Sequence, residues 1–169
     1  INGVDVPNNR INVTANLNDI MFAQYSFGSV TELYGYAVGD NGTVIFTNNY
    51  GLTWAPLTSG VTDKLRSVYV LIDNYLAIAG NLGTILLSQD LGLTWTTVVT
   101  GTVENVNDIK FLGQDVVVAS CDNGLILRST DLGLTFTGIP TGSVSDLFSV
   151  NFSDASNGIS VGELSTELY

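Results

Sequence analysis

Apolar and polar positions alternate along this chain in short bursts. No burst keeps helical spacing for longer than one turn. Leu65-Arg66-Ser67-Val68-Tyr69-Val70 and Val106-Asn107-Asp108-Ile109-Lys110-Phe111 mix apolar and polar residues at strand length. Tyr75–Ala79 and Val116–Ala119 are almost wholly apolar, which suits strands covered on both faces. Clusters of Gly, Asn and Asp separate the bursts and mark tight turns. The pattern predicts an all-β chain of short antiparallel strands.

The bursts recur on a fixed beat. Gly39–Trp54, Gly80–Trp95 and Cys121–Phe136 align without gaps, each 41 residues after the last. Leu65, Val106 and Leu147 open equivalent runs upstream at the same spacing. Leu17 opens a fourth, but lies 48 residues before Leu65, so the first repeat carries a seven-residue insertion within 23–33. In the second repeat four strands are expected, at Leu65–Leu71, Asn74–Ala79, Thr84–Ser88 and Thr94–Val99. Four antiparallel strands in about 40 residues make one blade of a β-propeller. The expected division of a single propeller domain, 1–169, is therefore 17–57 with its insertion, 65–101, 106–142, and a partial fourth blade at 147–169. Run backward, the register aligns Gly3 with Gly51 and Val6 with Trp54. Residues 1–16 are thus a candidate outer strand closing the last blade, which would leave no free sheet edge. A closed four-bladed ring and part of a larger propeller both remain open.

Within each repeat one octapeptide stands out. Ser88, Asp90, Gly92 and Trp95 recur as Ser129, Asp131, Gly133 and Phe136, and as Thr47, Asn49, Gly51 and Trp54. Asp or Asn can accept bonds from backbone two residues on, and Gly supplies positive φ where the chain reverses. The octapeptide is expected to be a structural hairpin between the third and fourth strands, with its aromatic residue wedged between blades. The spacing Ser-x-Asp-x-Gly-x-Thr-Trp resembles the Asp-box, or BNR repeat. The preceding Gly-x-x-Gly-Thr-Ile/Val segment is most similar to the photosystem II stability/assembly-factor type of these propellers. That type also occurs in phage structural and secreted bacterial proteins. The resemblance implies a propeller. It also raises sialidase-like glycoside hydrolysis, which in that family uses an arginine triad and a Tyr/Glu pair.

Composition narrows these options. The chain lacks His and has Cys121 as its single cysteine. His-dependent nucleophilic catalysis, His- or Cys-ligated zinc and an internal disulfide are thereby excluded. Cys121 aligns with Gly39 and Gly80 and is expected to be a buried packing residue. Five basic against 16 acidic residues give a net charge of −11, which disfavours nucleic acid and anionic membranes. No apolar run approaches the about 18 residues of a membrane-spanning helix. Arg10, Arg66 and Arg128 fall at unrelated positions of the repeat and make a poor arginine triad.

Two surfaces remain as candidates. Asp40, Asn41, Asp63, Asn81, Glu104, Asp122, Asn123 and Asp146 fall in turns on one face. They could present oxygens to Ca²⁺ or to sugar hydroxyls, or simply be solvated turn residues. On the other face, the insertion carries Tyr25 and Phe27 and forms a candidate contact loop. No cofactor is expected beyond that optional Ca²⁺, and no catalytic residue is assigned. The expected function is a non-catalytic structural or interaction module on a virion surface (fibre, tail or decoration protein) or secreted from the cell. Its partner would be a receptor, a glycan or a neighbouring subunit. The alternatives are a sialidase-like hydrolase or a photosystem assembly-factor-like chaperone, the latter in a bacterial periplasm or thylakoid lumen.

Overall fold

The computed structural model describes residues 13–27, 30–71, 75–113, 115–154, 157–163 and 166–168. They form a β-propeller of four antiparallel sheets. Blade 1 contains β1 (Leu17–Phe27), β2 (Val30–Gly39), β3 (Thr43–Thr47) and β4 (Ala55–Thr58). Blade 2 contains β5 (Leu65–Val70), β6 (Leu76–Gly80), β7 (Ile85–Ser88) and β8 (Thr96–Thr97). Blade 3 contains β9 (Val106–Leu112), β10 (Val116–Cys121), β11 (Leu125–Ser129) and β12 (Thr137–Pro140). Blade 4 contains β13 (Leu147–Phe152), β14 (Gly158–Gly162) and β15 (Thr166–Leu168). Within each sheet the strands follow chain order, so every link is a hairpin.

The blades stack through their first strands, β1 on β5, β5 on β9 and β9 on β13. Burial falls from that side outward. β6 is wholly buried, whereas all of β12 and most of β4 are exposed. This gradient explains why the second strand of each repeat is so apolar: it is sandwiched between two neighbours. Tyr36, Val38 and Val44 of blade 1 pack on Val68, Leu76, Ile78 and Leu86 of blade 2. Ala77, Ala79, Ile85 and Leu87 of blade 2 pack on Ile109, Phe111 and Val117 of blade 3. Each fully buried Val, Leu or Ile among them contributes about 1.5–3 kcal/mol. β13 has no comparable packing against β1 among the described residues.

Every first strand starts with a bulge. The pairing register skips Asn18, Arg66, Asn107 and Phe148, which are equivalent positions. A bulge re-aims its side chain. Asn18 and Asn107 use this to donate to the carbonyls of Leu65 and Leu147 in the next blade, at 2.7 and 2.9 Å.

Three expectations are altered. The seven-residue insertion is not a loop. It lengthens β1 and β2 into one hairpin, in register from Ile20–Ala37 through Gln24–Leu33 to Phe27–Val30. Its residues continue the cross-strand pairing because their alternation fits the existing pleat. The expected strand Thr94–Val99 shortens to Thr96–Thr97, since Thr94 is consumed by the preceding turn. Of the candidate closing strand 1–16, residues 1–12 lie outside the described residues, and 13–16 carry no strand.

Candidate functional site

The octapeptide turns share one construction. In blade 2 the Ser88 hydroxyl donates to Asp90 Oδ1 at 2.8 Å and accepts from the N–H groups of Asp90 and Gly92. Asp90 also accepts from the Thr94 N–H at 2.8 Å and the Thr94 hydroxyl at 2.6 Å. Ser129, Asp131, Gly133 and Thr135 repeat the arrangement bond for bond. In blade 1 Asn49 Oδ1 accepts from Thr47 and the Thr53 N–H, but its amide donates to the Thr53 hydroxyl. The donor direction reverses there because Asn carries an NH₂ where Asp carries an oxygen.

Two consecutive residues reverse the chain at positive φ: Tyr50 and Gly51 (62° and 79°), Leu91 and Gly92 (61° and 85°), Leu132 and Gly133 (63° and 85°). The sequence marks the Gly; the bulky residue before it is held left-handed by the side-chain bonds across the turn. The corner is also tied to the preceding blade. The Tyr36 hydroxyl donates to the Leu91 carbonyl at 3.2 Å, and the Tyr75 hydroxyl to that of Leu132 at 2.9 Å. Trp95 and Phe136 pack into the inter-blade cores, while Trp54 stands edge-on to Phe22 at 5.9 Å on the outer side of blade 1.

These bonds fix the charge state. Hydrogen bonds from the Thr94 side chain, then its backbone, then Ser88 hold the Asp90 carboxyl below its ordinary range. Those from Ser129 and Thr135 bring Asp131 down to about 2. A general acid needs the opposite shift. Both groups are permanent anions at neutral pH with their oxygens engaged.

The polar face resolves into separate ties instead of one ring. Asp40 accepts from Asn16 and Asn18 at 2.8 and 3.3 Å and pairs with Lys64, and these bonds lower its pKa. Asp122 accepts from Asn105 and Asn107 at 2.7 Å each. Asn81 accepts from Arg66 at 2.6 Å, an exchange of charge at the same structural positions. Asp63 accepts from Thr84, Glu104 from the Asn123 side chain, and Asp146 from the Asn123 N–H. Asn41 and Asn123 adopt left-handed φ of 56° in their turns. Among the described residues no group of three or more carboxylates or Cys forms a metal-holding cluster. Arg66 and Arg128 stand in different sheets; Arg10 lies outside the described residues. Tyr25 and Phe27 sit on the lengthened hairpin opposite Glu32 and Val30; their side chains lie outside the described ones. A shallow, open cavity of about 550 Å³ lies at the rim of blade 2, against Leu82, Thr97, Val99 and Val103.

Two further sets escaped the sequence reading. The hydroxyls of Ser59, Thr100 and Thr141 donate to the carbonyls of Gly42, Gly83 and Gly124 at 2.7–2.9 Å, binding each fourth strand's exit to its own inner turn. Their 41-residue spacing, each before a Gly, was the available signal. Asp108 joins three blades. It accepts from Ser67 of blade 2 at 3.0 Å, from Ser149 and the Val150 N–H of blade 4 at 2.8 and 3.1 Å, and pairs with Lys110.

No family model matches the chain, and no curated protein does either. Solved structures do. YCF48 bound to D1 peptide superposes with a TM-score of 0.74 at 22% identity, over 94% of this chain and 51% of that one. YCF48 from Cyanidioschyzon merolae gives 0.66 at 14% identity, over 87% and 49%. An ancestral GH74 enzyme gives 0.65 at 15% identity, over 94% and 26%. At these identities the likeness concerns the fold. The chain spans about half the length of the two YCF48 structures.

Proposed function

We propose that this chain is a non-catalytic interaction module, an Asp-box propeller segment that presents its surface to a protein partner. One observation carries the reading: the carboxylates its repeats supply are already occupied. Asp90 and Asp131 each accept from a hydroxyl on either side and from backbone N–H, and their depressed pKa values leave no proton to donate. The polar face is likewise internally bonded, which argues against a Ca²⁺ or sugar site built from it. What breaks the repeat, and so can specify a partner, is the lengthened β1–β2 hairpin. A net charge of −11 favours a cationic partner segment. Few lysines, no His and abundant Asn, Thr and Gly fit a secreted or virion-surface setting.

The YCF48 likeness supports a second reading. A propeller of this fold has been solved with a peptide bound. On that reading the chain holds an extended segment of another protein, as an assembly factor does.

The test is a peptide-display selection run on the chain and on a form trimmed by seven residues within 23–33. Peptides that bind the chain and lose affinity for the trimmed form support the first reading. Peptides indifferent to the trimming support the second. Turnover of fluorogenic sialosides or other glycosides, abolished by Asp90→Asn or Asp131→Asn, would refute the non-catalytic reading.

A further inference from the structure

The outer strands β4, β8 and β12 are sheet edges, and an edge offers unpaired N–H and C=O groups to any extended chain. Blades 1 and 3 block theirs with proline: Pro56 stands opposite Ile45, and Pro140 opposite Leu125. Blade 2 does not. The 41-residue beat puts Thr97 where blade 1 has Pro56, and Val99 where blade 3 has Pro140. Thr97 stands opposite Leu86, and the Val98 N–H donates inward to the Ile85 carbonyl at 2.9 Å. Inward and outward groups alternate along an antiparallel ladder, so the N–H groups of Thr97 and Val99 point away from the sheet. They are the ones that proline removes in the neighbouring blades. Residues 96–103 carry no charge and no Pro, and all but Gly101 are Thr or Val, which suit added pairing.

The open cavity at the rim of blade 2 adjoins this edge, and Leu82, Val99 and Val103 around it are 65%, 90% and 76% exposed. Leu82 holds its left-handed backbone where blades 1 and 3 place Asn41 and Asn123, so blade 2 keeps a strained, exposed leucine at a position its neighbours give to a polar residue. Residues 81–104 contain Asp90 and Glu104 and no Lys or Arg. Asp90 closes the turn that leads into β8, and the Glu104 carbonyl accepts from the Gly83 N–H beside the cavity at 2.8 Å. The edge thus runs between two acids. We propose that the outer edge of blade 2 takes up an extended, basic segment of a partner protein as a fifth strand. The inference rests on the second reading above, that the chain holds an extended segment, and names the place and the chemistry. Main-chain bonds to Thr97 and Val99 supply the pairing, Leu82, Val99 and Val103 receive apolar side chains of the added strand, and its Lys or Arg side chains meet Asp90 and Glu104. A second copy of this chain is a poor occupant, since two antiparallel edges would set Asp90 of one against Glu104 of the other with a charge of −11 on each.

The probe is a capped heptapeptide of alternating Lys and Val, titrated into the isotope-labelled 169-residue chain and followed by NMR and fluorescence anisotropy. The Thr97 and Val99 amides should shift and gain protection from exchange. Val99→Pro, which gives blade 2 the residue blade 3 carries at that position, should weaken binding by about tenfold or more while circular dichroism shows an unchanged fold. Thr97→Pro, the counterpart of Pro56, is read in its place if that variant does not fold. Leu82→Asn should weaken the peptide severalfold in a chain that is folded and no less stable. A Lys/Val peptide N-methylated on one edge keeps its charge but cannot pair, and should not bind; nor should a Glu/Val heptapeptide. Equal binding of the N-methylated or the acidic peptide overturns the proposal, as does pairing of β8 edges between two copies of the chain. Binding that ignores both proline variants and shifts amides elsewhere overturns the edge and leaves the second reading standing. No binding at millimolar peptide also overturns the edge, and the display selection still decides the second reading by itself.

Discussion

Asp108→Ala tests how the blades are held together near the axis. The carboxylate is 7% exposed and receives the hydroxyls of Ser67 and Ser149, the Val150 N–H and its own strand's Ile109 N–H, with Lys110 Nζ 3.0 Å away. Alanine removes every acceptor and leaves the donors in place. A buried N–H without a partner costs about 1–3 kcal/mol, and each lost bond to a charged group about 1.5–3. The two hydroxyls can turn to other acceptors, so the terms do not add in full. Loss of one member of a buried charged cluster costs about 3–5 kcal/mol, and we expect that here. Urea unfolding read by circular dichroism should show it, with a thermal midpoint lower by about 2–4 °C per kcal/mol for a chain of this size. Ser149→Ala removes one hydroxyl and should cost about 1 kcal/mol. If Asp108→Ala costs under about 1 kcal/mol, the carboxylate is not a tie between blades and the reasoning fails.

Further outcomes follow from the same geometry. Leu82 takes a φ of 55° at the turn position that Asn41 and Asn123 fill in the neighbouring blades; Leu82→Asn should raise stability by roughly 0.5–1 kcal/mol in urea titrations, since Asn tolerates left-handed backbone. Because the folded pKa values of Asp90 and Asp131 are depressed, their contribution to stability is complete above the ordinary carboxyl value of 3.8. It is lost as pH falls through the lowered folded values, about 2 for Asp131, so urea midpoints should hold steady from neutrality to about pH 5 and decline below about pH 4. Burial, more than the nearby Asp122 and Glu104, pushes the Cys121 thiol up to about 12; the native chain should resist thiol reagents at pH 8 and react stoichiometrically once unfolded.

What the sequence made legible is what is local. The octapeptide closes on itself within a few residues, so Asp90, Gly92 and Thr94 announce their turn without knowledge of the rest. The apolar run Tyr75–Ala79 announces a strand buried on both faces, and the beat of the repeat makes it one blade among several. The ties between blades were not legible. Ser67, Asp108 and Ser149 occupy one repeat position, but only adjacency in space turns a Ser–Asp–Ser series into a bonded chain. The turn carboxylates suggested an open polar face because their partners, Asn16, Asn18, Asn105 and Asn107, are distant along the chain or sit at bulges that periodicity does not locate. The insertion read as a loop because added length says nothing about pairing; the match of Tyr25 to Glu32 and Phe27 to Val30 across the hairpin appears only with the register.

The repeated turns use their polar groups to hold the fold. Amide hydrogen exchange followed by NMR reads this most directly, at the N–H groups of Gly51, Gly92 and Gly133 and of Thr53, Thr94 and Thr135. All six donate to turn side chains and should be protected, and Asp90→Ala should release Thr94 while leaving Thr135 unchanged. Exchange of these amides at the rate of an unstructured chain would contradict the account.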